Sequence, residues 1–212
     1  MYFLPEWSVL AGFTAACVVL ALTPGPDMTL FLSRTISGGR KLGLAALFGA
    51  SAGLVVHAML AAFGLSALLA ASATAFTALK LVGGLYLVWL AISALRHGSA
   101  LALAKSDGQV NYWATFATGI GINLTNPKIV IFFLTFLPQF VDAHDPHASA
   151  KFLFLGLYFL VLGTLLNLLV LMVAGKFVAA VKANPKALRG FDYGFAALMS
   201  AFALKLFTAQ AR

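Results

Sequence analysis

The chain has 212 residues, of which 62% are hydrophobic and only 9% charged, and its formal net charge is +8. Soluble domains carry about a quarter charged residues, so this composition excludes an ordinary water-soluble domain and points to a polytopic membrane protein. The 14 basic residues mostly flank apolar stretches, as in loops retained in the cytoplasm, and no nucleic-acid partner is expected. The single cysteine, Cys17, rules out an intrachain disulfide framework. The opening "MYFLPEWS" has an acid and no base, so the first apolar stretch is expected to remain in the protein.

Six apolar segments follow in chain order: Trp7–Arg34, Leu42–Leu69, Ala75–Leu95, Trp113–Phe140, Phe152–Ala174 and Phe191–Phe207. A helix needs ~20 residues to cross a hydrocarbon core, and each stretch approaches or exceeds that length. The second and third segments are divided only by "ASATAF", the weakest of the boundaries. Residues 98–112, within "RHGSALALAKSDGQVN", connect two halves of three segments, 1–97 and 113–212, of one transmembrane domain. Arg34, Arg40 and Lys41 follow segment 1, Arg96 and Lys105 follow segment 3, and Lys176, Lys182, Lys186 and Arg189 follow segment 5. The opposite side has little beyond Lys80, Lys151 and Arg212, so the odd-to-even connections are expected in the cytoplasm and both termini outside.

The first segment is interrupted by "ALTPGPD" and the fourth by "NLTNPK". Each shows Leu-Thr followed by a proline break, about two thirds of the way along. Three spans per half would place the copies in opposite orientations, and matched interruptions in two halves point to a transporter's substrate site. Proline has no N–H, so Pro24 and Pro26 free the carbonyls of Leu20 and Leu22, and Pro127 frees that of Asn123. Gly25 adds conformational freedom between the prolines. Thr125 or Asn126 can cap a half-helix that starts at Pro127, turning the N–H groups of Lys128 and Ile129 toward a carboxylate. Asp27 and Lys128 are the ionised residues nearest the two breaks, and intramembrane charges usually mark a pathway. One acid, one base and freed carbonyls complement a zwitterion such as an amino acid. A simple kink with a structural ion pair is the plainer alternative.

The stretches "TPGPDMTLFLSRTISGGRKLGLAALFGASAG", "LKLVGGLYLVWLAISALR" and "GIGINLTNPKIVIFFLTFLPQFV" closely resemble the LysE/RhtB superfamily of bacterial amino-acid exporters. The resemblance extends over essentially the whole chain. It implies proton-driven export of amino acids or close derivatives across the bacterial inner membrane, with the neutral, threonine/homoserine-like branch nearer than the lysine branch. Pro24, Gly25, Pro26, Asp27, Asn126, Pro127 and Lys128 stand at the motif positions.

The expected fold is therefore all-α: six transmembrane helices as two inverted three-helix repeats, with helices 1 and 4 broken. Thr23, Pro24, Gly25, Pro26, Asp27, Asn123, Asn126, Pro127 and Lys128 are the candidate substrate residues. Asp27, ahead of His57 in the second segment, is the candidate carrier of the coupled proton. Gly49 and Gly53 form a small-xxx-small pair suited to close helix packing. Asn167 is assigned an interhelical hydrogen bond rather than a place at the substrate. The loop "DAHDPHA" matches no closed zinc pattern, and neither metal nor cofactor is expected. There is no His-Glu-x-x-His pair and no Gly-x-Ser-x-Gly elbow, so an enzyme reading lacks its reacting groups. An inorganic-cation exporter, a passive channel and a homodimer remain compatible with the pattern. The partners expected are an amino acid, protons and membrane lipid.

Overall fold

The computed structural model describes residues 5–97, 111–142 and 145–210, and these are almost entirely helical, with no strand among them. The connecting segment expected over residues 98–112 lies almost wholly outside the described residues, as does His144 of the polar loop.

The first apolar stretch is two helices, α1 (Trp7–Leu22) and α2 (Pro26–Gly38), bent by 49°. Pro24 ends α1 because it cannot donate to Leu20, and Pro26 opens α2 at a first-turn position where its missing N–H does no harm. Gly25 between them is extended, with φ −161° and ψ −175°, a conformation open to any residue. Its conformational freedom is therefore not what makes the break. Its smallness is: a Cβ there would sit 3.1 Å from the Lys128 Nζ. The one glycine with positive φ among the described residues is Gly39, at 83°, where α2 turns into α3 (Arg40–Leu60).

Helix α3 continues through a π-helical turn, Ala61–Leu65, into α4 (Ser66–Ala71). The weak boundary falls at Ser72, whose extended backbone stops α4 and whose Oγ accepts from the Ala75 N–H at 3.1 Å, starting α5 (Ala73–His97). Helix α6 (Tyr112–Thr125) starts on the Asn111 side chain, which accepts from the Ala114 N–H. After a second break comes α7 (Pro127–Ile131), a π-helical turn over Phe132–Phe136 and a tight turn over Leu137–Phe140. The two arms of this span bend by 50°. The residues at the two breaks share one backbone geometry: Thr23 has φ −69°, ψ 120° and Asn126 has φ −69°, ψ 109°.

Helix α8 (Ala148–Met172) begins four residues before the apolar stretch that announces it. Its polar first turn is anchored by Asp145, which accepts from the His147 N–H at 2.8 Å and pairs with Lys151. The bond from Lys151 holds the Asp145 carboxyl below the usual carboxylate range. Helices α9 (Ala174–Ala183) and α10 (Pro185–Gln210) complete the chain.

Among the described residues, two helices are long and apolar enough to cross a membrane, Arg40–Leu68 and Ala148–Met172, and each bent pair adds a further candidate span, giving up to four. Exposed apolar side chains on α3 (Val55, Met59, Leu60) and α8 (Val161, Leu165, Leu169) suit a lipid surround.

Two buried clusters hold the helices together. One gathers α1, α7, the second π-helical turn and α8 around Phe13, Phe132, Phe136 and Phe159. Edge-on and tilted rings account for much of its packing, such as Phe13 with Phe140 at 5.0 Å and Phe132 with Phe159 at 4.4 Å. The other joins α2, α3 and the α8–α9 corner around Phe31, Leu32, Leu47 and Leu171. Between α3 and α6 the backbones nearly touch. A Cβ on Gly49 would lie 2.1 Å from the Phe116 carbonyl oxygen, and one on Gly119 2.4 Å from that of Ala46. The small-residue seam read from Gly49 and Gly53 is thus a contact with α6. Gly49→Leu is expected to force α3 off α6 and destabilise the protein by about 1–3 kcal/mol or more, the cost of overpacking. A lowered midpoint of thermal unfolding in detergent checks this.

Candidate functional site

A small cavity of about 40 Å³ lies between the two clusters, bounded by Leu20 and Phe159 from one and Met28, Phe31 and Leu47 from the other. Asp27, Asn123 and Lys128 line it, so the two helix breaks meet at one place.

Asp27 sits in the first turn of α2, where the helix dipole favours a carboxylate. Its Oδ2 accepts from the side-chain amides of Asn123 and Asn126, both at 2.9 Å. Its Oδ1 is buried and has no hydrogen-bond partner. One face of the carboxyl is therefore fixed to the second broken span and the other is open to the cavity. Asn126 does two jobs. Its Oδ1 accepts from the Lys128 N–H at 3.1 Å, capping α7, while its amide holds Asp27. The cap is thus Asn126 and not Thr125, whose hydroxyl bonds back to the Gly121 carbonyl at 2.8 Å.

This corrects one expectation. The N–H groups of Lys128 and Ile129 are not free for a carboxylate, because Asn126 takes both, the first on its side chain and the second on its carbonyl at 3.0 Å. Two of the carbonyls freed by proline, those of Leu20 and Asn123, find donors of their own. Lys128 Nζ donates to Leu20 O at 3.1 Å and to Thr23 O at 2.8 Å, so it takes Thr23 rather than Leu22. The Asn123 carbonyl accepts from the Asn126 N–H at 3.1 Å and lies 3.4 Å from His57 Nε2. The ammonium and the carboxylate engage separate partners, so the contacts are not those of a simple ion pair.

The remaining candidates fall around this centre. Thr23 contributes its carbonyl, while its hydroxyl is spent on Val19 O at 2.7 Å. Pro24, Gly25, Pro26 and Pro127 shape the breaks without lining the cavity. His57 is buried, stacks on Phe133 at 5.4 Å, and faces a second, apolar cavity of about 520 Å³ with Leu60, Leu65 and Leu134. Gly53 belongs to the site in a way its spacing does not reveal: a Cβ there would lie 2.6 Å from Asn123 Oδ1 and push the amide off Asp27. Three polar residues that sequence reasoning did not place here also line the small cavity: Ser51, Thr164 and Asn167. Among the described residues no three metal-ligating side chains come together.

The cavity has room for roughly three to four waters, since one needs about 10–15 Å³. At that size it admits a few waters and nothing larger.

The chain is 29% identical to the homoserine/homoserine lactone efflux protein of Salmonella typhimurium over 187 residues, 88% of this chain and 90% of that protein. It is 36% identical over 149 residues to an uncharacterized membrane protein of Vibrio cholerae, covering 70% of this chain and 72% of the relative. A membrane protein of Synechocystis is 34% identical over 140 residues, 66% of this chain and 68% of its own length. No solved structure matches significantly. The profile of the LysE type translocator family matches residues 18–210, covering both helix breaks and the cavity between them. With a match over nearly its whole length, the chain belongs to the LysE type translocator family.

Proposed function

We propose that this translocator is a secondary exporter of a neutral amino acid or close derivative, resident in the bacterial inner membrane and driven by proton antiport. The observation that carries the reading is the Asp27 carboxyl, with one oxygen held by two amides and the other buried and unpartnered in the cavity. A free carboxylate oxygen in that position takes either a proton or a substrate ammonium, and mutual exclusion of the two makes an antiporter. His57 is the lesser candidate for the proton, because its ring nitrogen faces a backbone carbonyl that does not titrate.

In this reading the chain is one domain of six spans, with residues 1–97 and 113–212 as inverted repeats around the cavity. The matching bends of 49° and 50°, and the shared backbone geometry at Thr23 and Asn126, support it. Lys128 leaves Leu20 and Thr23 to meet the substrate carboxylate, and that exchange opens the contact between the repeats. The homoserine/homoserine lactone efflux proteins among the relatives support an amino-acid cargo over an inorganic cation. A hard cation would need about 6–8 oxygen ligands, and the cavity offers a single carboxylate.

Proteoliposomes carrying the purified protein test this directly. Under an imposed pH gradient, a labelled neutral amino acid is expected to move against proton flow, while labelled divalent cations do not. Cation movement without amino-acid movement would overturn the reading, and amino-acid movement with no proton flux would reduce it to a passive pathway.

A further inference from the structure

We propose that Ser51, Thr164 and Asn167 form a side-chain subsite in this cavity, selecting an amino acid whose side chain ends in a hydrogen-bond donor such as a hydroxyl. The proposal rests on the amino-acid reading above and adds the feature that distinguishes one neutral amino acid from another.

Ser51 lies on the face of α3 that also carries Leu47, Ala50 and Leu54, and is its polar member at the cavity. Thr164 and Asn167 stand three residues apart on α8, hence on one face, across from it. Ser51 Oγ donates to Leu47 O at 3.0 Å and is 2.9 Å from Thr164 Oγ1. A hydroxyl has one proton, so with that of Ser51 on Leu47 the Thr164 hydroxyl donates to Ser51. Thr164 Oγ1 then presents only lone pairs. Asn167 Oδ1, three residues on, is buried without any partner. The wall thus offers acceptors and withholds hydroxyl donors.

Helix packing explains the Ser51–Thr164 bond but leaves the Asn167 oxygen orphaned, and a buried orphan acceptor calls for an explanation. A substrate hydroxyl supplies the missing donor. The same molecule's ammonium meets the open oxygen of Asp27 on the other wall. The remaining lining, including Ala50, Leu54 and Phe159, is apolar and accommodates the methylene groups between. Sites built to hydrogen-bond a hydroxyl discriminate strongly against analogues that lack it, because the acceptors are then left bare.

Homoserine and norvaline are the probes, since the first ends in a hydroxyl where the second ends in a methyl group of similar size. The readout is the ratio of their pH-driven uptake into the same proteoliposomes. Wild type is expected to favour homoserine, and the ratio is expected to fall roughly tenfold in Thr164→Val and in Asn167→Leu. Thr164→Ser restores it, and the two substitutions lie at separate positions, so misfolding of one leaves the other decisive. A wild type with no preference, or a ratio unchanged in the folded variants, overturns the subsite and leaves amino-acid transport standing. A wild type that moves neither probe, nor any other neutral amino acid, overturns the amino-acid reading and the subsite together.

Discussion

Asp27→Asn is expected to abolish pH-driven transport while leaving the protein folded. The substituted amide keeps one carbonyl oxygen, which accepts from Asn123 and Asn126 as Oδ2 does now. The clamp between the broken spans therefore survives. The other oxygen is replaced by an NH₂ group, which repels the substrate ammonium and carries no exchangeable charge. Removing one partner of a desolvated charge pair costs about 3–5 kcal/mol, so the loss in substrate affinity is expected to reach at least ~100-fold. Asp27→Glu keeps a titrating group one methylene further out and is expected to retain part of the activity. Transport by the two variants, normalised to folded protein, gives the comparison.

Lys128→Met is expected to fail differently, losing stability together with transport. Its ammonium is the donor to two carbonyls at the first break, that of Leu20, which Pro24 leaves open, and that of Thr23, and methionine has no donor to replace it. A buried carbonyl without a partner costs about 1–3 kcal/mol, and two are created. Relief from holding a desolvated ammonium offsets part of this. The net expectation is a lowered unfolding midpoint, where Asp27→Asn shows little change. Lys128 also belongs to the second half of the chain and its two carbonyls to the first. Its loss therefore loosens the contact across which the halves are proposed to rock. If Lys128→Met unfolds at the wild-type temperature, the ammonium is not what satisfies the first break.

The two breaks were legible because proline has a local consequence that needs no tertiary context. Thr-Pro-Gly-Pro-Asp and Asn-Pro-Lys each specify where a helix must stop and which carbonyls it releases. The charged pair was legible for a similar reason, since an ionised residue in an apolar stretch demands a partner. What these groups bond to was not. Lys128 crosses from one broken span to the carbonyls of the other, a relation that depends on where two helices dock. Asn126 was readable as a cap, but its second role as a clamp on Asp27 required the fold. The polar wall escaped notice because single hydroxyls in membrane helices commonly bond back to their own backbone, as Thr118 and Thr135 do here. Ser51 and Thr164 carry the same local signal, and only their meeting across α3 and α8 sets them apart. The two expected spans that length and apolarity do not single out lie where the chain is least apolar: α10 carries Lys186, Arg189 and Asp192 in its first turns, and the apolar part of α5 is Thr77–Ser93.

The central claim is that a proton and a substrate ammonium compete for the open oxygen of Asp27. The most direct test is the affinity of the detergent-solubilised protein for a transported neutral amino acid, measured across a series of pH values. Competition predicts that wild-type affinity weakens tenfold for each pH unit below the Asp27 titration, since one proton must leave for each substrate bound. The Asp27→Asn variant is expected to bind weakly at every pH, with no such slope. Wild-type affinity that does not change with pH, or the same slope in Asp27→Asn, would contradict the account and move the coupled proton to another group.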